Sequence, residues 1–286
     1  MILSGYLPAN IQRRDATLER KRDEYRGFVG QYYGTRLDAQ NQKAFHQIQI
    51  DVLRTSPAIR TFQQPVMKEM LERVLYIWAI RHPASGYVQG MNDLATPFFA
   101  VFLHRHTGLD IADVNSGEVD EVDLGSVEAD TFWCFSRLLD GIQDNYTAQQ
   151  PGVQAKLQSL EELMKRIDLP LHDHLMSCGV PYVRFAFRWI NCMLMREMPL
   201  HCIVRLWDTY LAESNGFADF HVYVCAAFLK TFSQELQSKF DMEDLMPALQ
   251  NLPTSAWQDA EIELLLAEAF RLRYTFADSQ QHLRPT

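Results

Sequence analysis

From Val66 to Ile80 the apolar residues Val66, Met67, Met70, Leu71, Val74, Leu75 and Trp78 recur three or four positions apart. That is the spacing of a helix with one buried face. Pro65 suits its first turn, and Pro83 with Ser85-Gly86 breaks the chain after it. The pattern predicts a second helix over Tyr87–His104, kinked by Pro97, and a third starting near Asp130 as N-cap, with Phe132, Trp133, Phe135, Leu138, Leu139 and Ile142 inward. Val153–Ile167 repeats the period, and Tyr182–Met195 is apolar on two sides, as a central helix is. Further helices are predicted over Cys202–Ala212, Phe217–Phe232, Met242–Leu249 and Ala260–Phe276. No stretch sustains strand alternation, so the fold class is all-α.

Composition agrees. Hydrophobic residues make up 47% and charged residues 22% of the 286, globular values that exclude a wholly disordered chain. The 13 glycines and 12 prolines fall below the roughly 12% of an average chain, which favours helix over a turn-rich sandwich. The longest uncharged apolar run, Leu94–Leu103, is half of the roughly 20 residues a membrane span needs, and the N-terminus has no signal-peptide pattern. Cys134, Cys178, Cys192, Cys202 and Cys225 are dispersed and read as reduced core residues of a cytosolic protein.

The net charge of −9 argues against nucleic acid as a partner. Eight acids and no base lie between Leu109 and Asp130; outside that window 28 acids face 27 bases. The window reads as a solvated loop. An EF-hand fails there, because Gly117 at the sixth position puts Ala112 at the first. His104-x-His106 and His172-x-His174 are two apart, point different ways on a helix, and read as surface residues. No phosphate loop, nucleophile elbow or zinc-helix motif is present, so no cofactor or metal is expected to be held by this chain.

Two segments are unlike core. In Ile48-Gln49-Ile50-Asp51-Val52-Leu53-Arg54-Thr55 a carboxylate and a guanidinium stand three apart, on one helix face, where Asp51 orients Arg54; an intrahelical salt bridge has the same spacing. In Ser85-Gly86-Tyr87-Val88-Gln89-Gly90-Met91-Asn92-Asp93 polar side chains crowd into one turn. Burying such groups unpaired costs about 1–3 kcal/mol each, although a polar helix start would also explain them.

The chain is identified by these residues as similar to TBC-domain Rab GTPase-activating proteins. I-x-x-D-x-x-R (Ile48, Asp51, Arg54) and S-G-Y-x-Q-G-M-N-D (Ser85 to Asp93) resemble two signature motifs of that family. Glu128–Trp133, Arg188-Trp189 with Arg196-Glu197, and Arg205–Asp208 resemble its later blocks. Arg81–Ala84 and Asp140–Tyr146 are most similar to the Golgi-associated branch. The resemblance implies a V-shaped, two-lobed helical domain over 1–286, with an N-terminal lobe about 1–108, an acidic loop about 109–129 and a C-terminal lobe about 130–286. It implies a GTP-bound Rab as partner, which holds GTP and Mg2+ itself, and a cytoplasmic protein peripherally associated with Golgi or other endomembranes. Arg54 would be an arginine finger, Gln89 a second finger orienting water, Asp51 the anchor of Arg54, and Tyr87, Asn92 and Asp93 the support of Gln89. A Rab-binding effector or scaffold without catalysis is the alternative, and a helical adaptor with no GTPase partner a remote third. The family's pattern has an Arg and a Trp just before L-x-G-Y-x-P; this chain begins at Met1, with Leu3, Gly5, Tyr6 and Pro8 in that pattern, as an N-terminally trimmed domain would.

Overall fold

A computed structural model describes residues 6–110, 114 and 121–276. The chain divides into two compact units, residues 1–148 and 149–286. The boundary therefore falls after the predicted acidic loop, not within it. All regular elements among the described residues are helical.

The first unit holds α1 (Arg14–Tyr32), α2 (Gln42–Leu53), the single turn α3 (Arg60–Gln63), α4 (Pro65–Arg81), α5 (Met91–Thr107) and α6 (Glu121–Gly141). α4 is its centre. Met67, Met70, Leu71, Val74, Leu75 and Trp78 are buried as the periodicity predicts, and Tyr76, Ile77 and Ala79 are buried as well. Each such aliphatic side chain contributes about 1.5–3 kcal/mol, which fixes α4 against α1, α2, α3, α5 and α6.

Two sequence expectations need correction here. The helix expected from Tyr87 starts at Met91, because Gly90 (φ 104°) and Gly86 (φ 62°) turn the chain through the left-handed region first. Gln89 and Tyr87 thus stand on a turn. The helix expected from Asp130 starts at Glu121, inside the acidic window. Glu128 and Asp130 are buried. Glu128 accepts from both Nε (2.9 Å) and Nη2 (2.8 Å) of Arg73, and from the Tyr25 hydroxyl (2.6 Å). Asp130 takes Nε (3.0 Å) and Nη2 (2.7 Å) of Arg22. These two acids close α6 onto α1 and α4; they are not a solvated loop. Asp113, Glu118 and Asp120, the Gly117 register, and the N-terminal Leu3 and Gly5 lie outside the described residues.

The second unit holds α7 (Pro151–Ile167), α8 (Leu169–Ser177), α9 (Val183–Asn191), α10 (Leu200–Ala212), α11 (His221–Thr231), α12 (Ser233–Gln237), α13 (Met242–Gln250) and α14 (Asp259–Phe276). α9 ends at Asn191, short of the predicted Met195, because Met193 (φ 50°) and Leu194 (φ 62°) are left-handed. The Leu194 N–H closes back on Trp189 O at 2.9 Å, a Schellman-type stop, and full burial of both side chains offsets the strain. His172 is buried against the Tyr182 hydroxyl (3.2 Å), not on the surface. No described helix is long and apolar enough to cross a membrane.

Candidate functional site

The last turn of α2 points Ile48 and Val52 into the first unit and leaves Ile50 and Leu53 outside. Asp51 shares the inward face and is completely buried, so its carboxylate needs partners. Arg54 ends the helix (φ −105°, ψ 5°) and folds its guanidinium back, Nη2 donating to Asp51 Oδ1 at 2.5 Å. Gln47, one turn earlier, donates to the same oxygen at 3.1 Å.

The other oxygen, Oδ2, receives the Tyr87 hydroxyl at 2.8 Å. Burial and this bond to Asp51 hold the phenol well above its ordinary pKa, so Tyr87 is a fixed donor at any physiological pH. Asn92, buried in the first turn of α5, lies 3.3 Å from that hydroxyl through Oδ1. Its Nδ2 donates to Thr55 Oγ1 at 2.9 Å and reaches Asp93 Oδ1 at 3.3 Å. Thr55 in turn donates to the Asp51 carbonyl at 2.9 Å. Asp51, Tyr87, Asn92 and Thr55 form a closed polar ring joining the end of α2 to the start of α5. Asp93 completes it from the side and accepts from the Thr96 hydroxyl through its own carbonyl (2.8 Å).

The structure therefore brings Asp51, Arg54, Tyr87, Asn92 and Asp93 together, and puts Gln89 on the same Gly86–Gly90 turn as Tyr87. Arg54 keeps 47% of its side chain in solvent, and Gln89 is exposed. Gln47 and Thr55 were not singled out from sequence; only the four-residue spacing of Gln47 from Asp51 hints at it. The two outward side chains carry a permanent cation and an amide. They can stabilise charge and orient a hydroxyl or water, but neither is a nucleophile or a proton-transfer group.

Comparison with known proteins gives this arrangement a lineage. The family model described as Rab-GTPase-TBC domain matches residues 1–237. The chain is 56% identical over 283 residues to human TBC1 domain family member 22B, covering 99% of this chain and 56% of that protein. It is 48% identical over 286 residues to the GTPase-activating protein gyp1 of Schizosaccharomyces pombe, covering 99% and 55%. It thus spans about half the length of the curated relatives it matches. Its fold superposes on the crystal structure of the Ypt/Rab-GAP domain of Gyp1p with a TM-score of 0.89 at 42% identity, covering 96% of this chain and 86% of that one. With its helical fold and a family match that runs over residues 1–237, the chain belongs to the Rab-GTPase-TBC domain family.

Proposed function

We propose that this chain accelerates GTP hydrolysis by a Rab-family GTPase, supplying Arg54 and Gln89 in trans. One observation carries the reading: a half-exposed guanidinium sits on a fully buried carboxylate that also fixes the turn bearing Gln89. A side chain held this way loses little rotamer freedom on entering a partner. The Rab would hold GTP and Mg2+. Charge developing on the transferred phosphoryl group would meet Arg54, and the Gln89 amide would orient the attacking water. The resemblance to the Golgi-associated branch supports a place at Golgi or other endomembranes, which imaging of the tagged full-length protein tests.

Single-turnover phosphate release from a panel of GTP-loaded Rabs tests the activity. Arg54→Ala should lower acceleration by on the order of 10³ or more, and Arg54→Lys should recover little, since a point charge lacks the planar fork. Gln89→Ala should depress turnover while sparing affinity for the GTP-bound Rab, because its contact matters mainly in the transition state. A complex with GDP and aluminium fluoride should form with the wild type and weaken in both variants. A scaffold predicts GTP-state binding without turnover and no preference for the planar mimic. A folded Arg54→Ala protein with most of its activity would sink the reading.

A further inference from the structure

Arg54 has a side-chain tether, Asp51, but its position also depends on the backbone that follows. That backbone is unusual. Ser56 has φ 42°, in the left-handed region that side-chain-bearing residues avoid, so the turn after Arg54 is held against its local backbone preference. The Ile59 N–H donates to Ser56 O at 3.0 Å, closing the turn from below. From the side comes Gln63, whose Nε2 donates to Thr55 O at 3.0 Å and to Ser56 O at 3.2 Å. Both atoms it faces are carbonyl oxygens, which only accept, so the amide orientation follows from its partners. One NH2 group thus spans two consecutive carbonyls.

Gln63 is itself seated firmly. It ends α3, whose Phe62 is 2% exposed and whose Thr61 is fully buried, the Thr61 hydroxyl donating to Val114 O at 2.6 Å. The clamp therefore transfers the rigidity of the first unit's core to the residues directly after Arg54. We propose that Gln63 is a positioning residue for Arg54, holding the Thr55–Ser56 backbone so that the guanidinium enters the partner in a single geometry. This rests on the activator reading above, and it adds a residue that acts through the backbone beside Arg54.

The test uses the Rab that the wild-type protein accelerates most in a recombinant panel. Gln63→Met keeps the side-chain length and removes both donors. Displacing a catalytic group slightly costs up to about a hundredfold in rate, so kcat should fall about tenfold to a hundredfold. KM, and binding to the Rab loaded with a non-hydrolysable GTP analogue, should stay unchanged, whereas affinity for the Rab–GDP–aluminium fluoride state should fall by the same factor as kcat. Gln63→Lys, which restores N–H donors at similar reach, should recover most of the loss. In an Arg54→Ala background, Gln63→Met should weaken the aluminium fluoride complex no further.

Wild-type kcat in a folded Gln63→Met protein overturns the proposal. So does equal weakening of the GTP-analogue and aluminium fluoride complexes, or an undiminished effect of Gln63→Met without Arg54. Should Gln63→Met fail to fold, Gln63→Ala is read by the same comparisons. The two readings fail differently. If Arg54→Ala keeps its preference for the mimic, or no Rab is accelerated, the activator reading falls and this inference with it. If Arg54→Ala loses that preference and Gln63→Met does not, only the clamp falls.

Discussion

Glu128 offers the sharpest measure of what holds the first unit together. Glu128→Ala removes the acceptor of three hydrogen bonds, two of them from the Arg73 guanidinium. Removing one partner of a buried pair costs about 3–5 kcal/mol. Arg73 keeps 23% side-chain exposure and lies 3.7 Å from Glu69, so its share is discounted to about 2–3 kcal/mol. The Tyr25 hydroxyl, in a residue only 3% exposed, loses its acceptor and adds about 1 kcal/mol. The expected loss is about 3–4 kcal/mol, a large part of the 5–15 kcal/mol that typical domains have. Glu128→Gln should fall between, since one amide oxygen remains for Tyr25 while its NH2 meets an Arg73 donor. Urea denaturation followed by tryptophan fluorescence measures both, with Asp123→Ala as control; that acid is 49% exposed and should change stability by no more than about 0.5 kcal/mol. Activity of the folded protein should survive, because Glu128 is not in the Asp51 ring. A Glu128→Ala loss below about 1 kcal/mol would refute the reasoning and return these acids to a solvated role.

At the site, Asp51→Asn leaves an acceptor for Arg54 and Gln47 and an amide that the Tyr87 hydroxyl can face by accepting, so it should cost about 1 kcal/mol, whereas Asp51→Ala should cost about 2–4 kcal/mol; equal losses in thermal melts would show that acceptor geometry is not what matters. In the second unit His221 is fully buried, Nε2 donating to Trp189 O (3.2 Å) and Nδ1 accepting from the Tyr210 hydroxyl (2.9 Å). Burial lowers its pKa from 6.5 to about 3, so the unfolded chain binds the proton first as pH falls. That stability contribution is complete above about 6.5 and is lost on the way down towards pH 3, about 2 kcal/mol by pH 5. His221→Gln, which keeps a donor and an acceptor, should flatten that part of the stability–pH curve; an unchanged slope would show that His221 does not cause it.

Periodicity made α4 legible because its apolar stripe is carried by consecutive turns of one segment. It could not show α1, where Leu18 and Tyr25 are the buried residues and the run between them, Glu19–Glu24, is entirely charged. α1 is held by Arg22 and Tyr25 reaching acids more than a hundred positions away, partners that no local pattern displays. The same acids made the start of α6 read as loop, since a carboxylate counts as solvent-facing until its cation is known. At the site the Asp51–Arg54 spacing was legible, and Arg54 proves to be the residue that ends the helix. Gly90 marked a break but not its geometry, so Gln89 was assigned to a helix rather than to a turn. Gln63 and Thr55 gave no signal, because one works through backbone carbonyls and the other through a partner on α5.

The fully buried Asp51 also bears on how this domain changes over generations. Among the described residues its cationic partner is Arg54; its carboxylate also accepts from a neutral amide and a phenol. A lineage that discards Arg54 is left with a negative charge in a dry pocket, and selection for folding then acts against the aspartate even where catalysis no longer matters. The two positions are therefore expected to drift as a linked pair, arginine lost first and the acid following. Descendants holding Asp51 without Arg54 should be short-lived intermediates, marginally folded and quickly replaced.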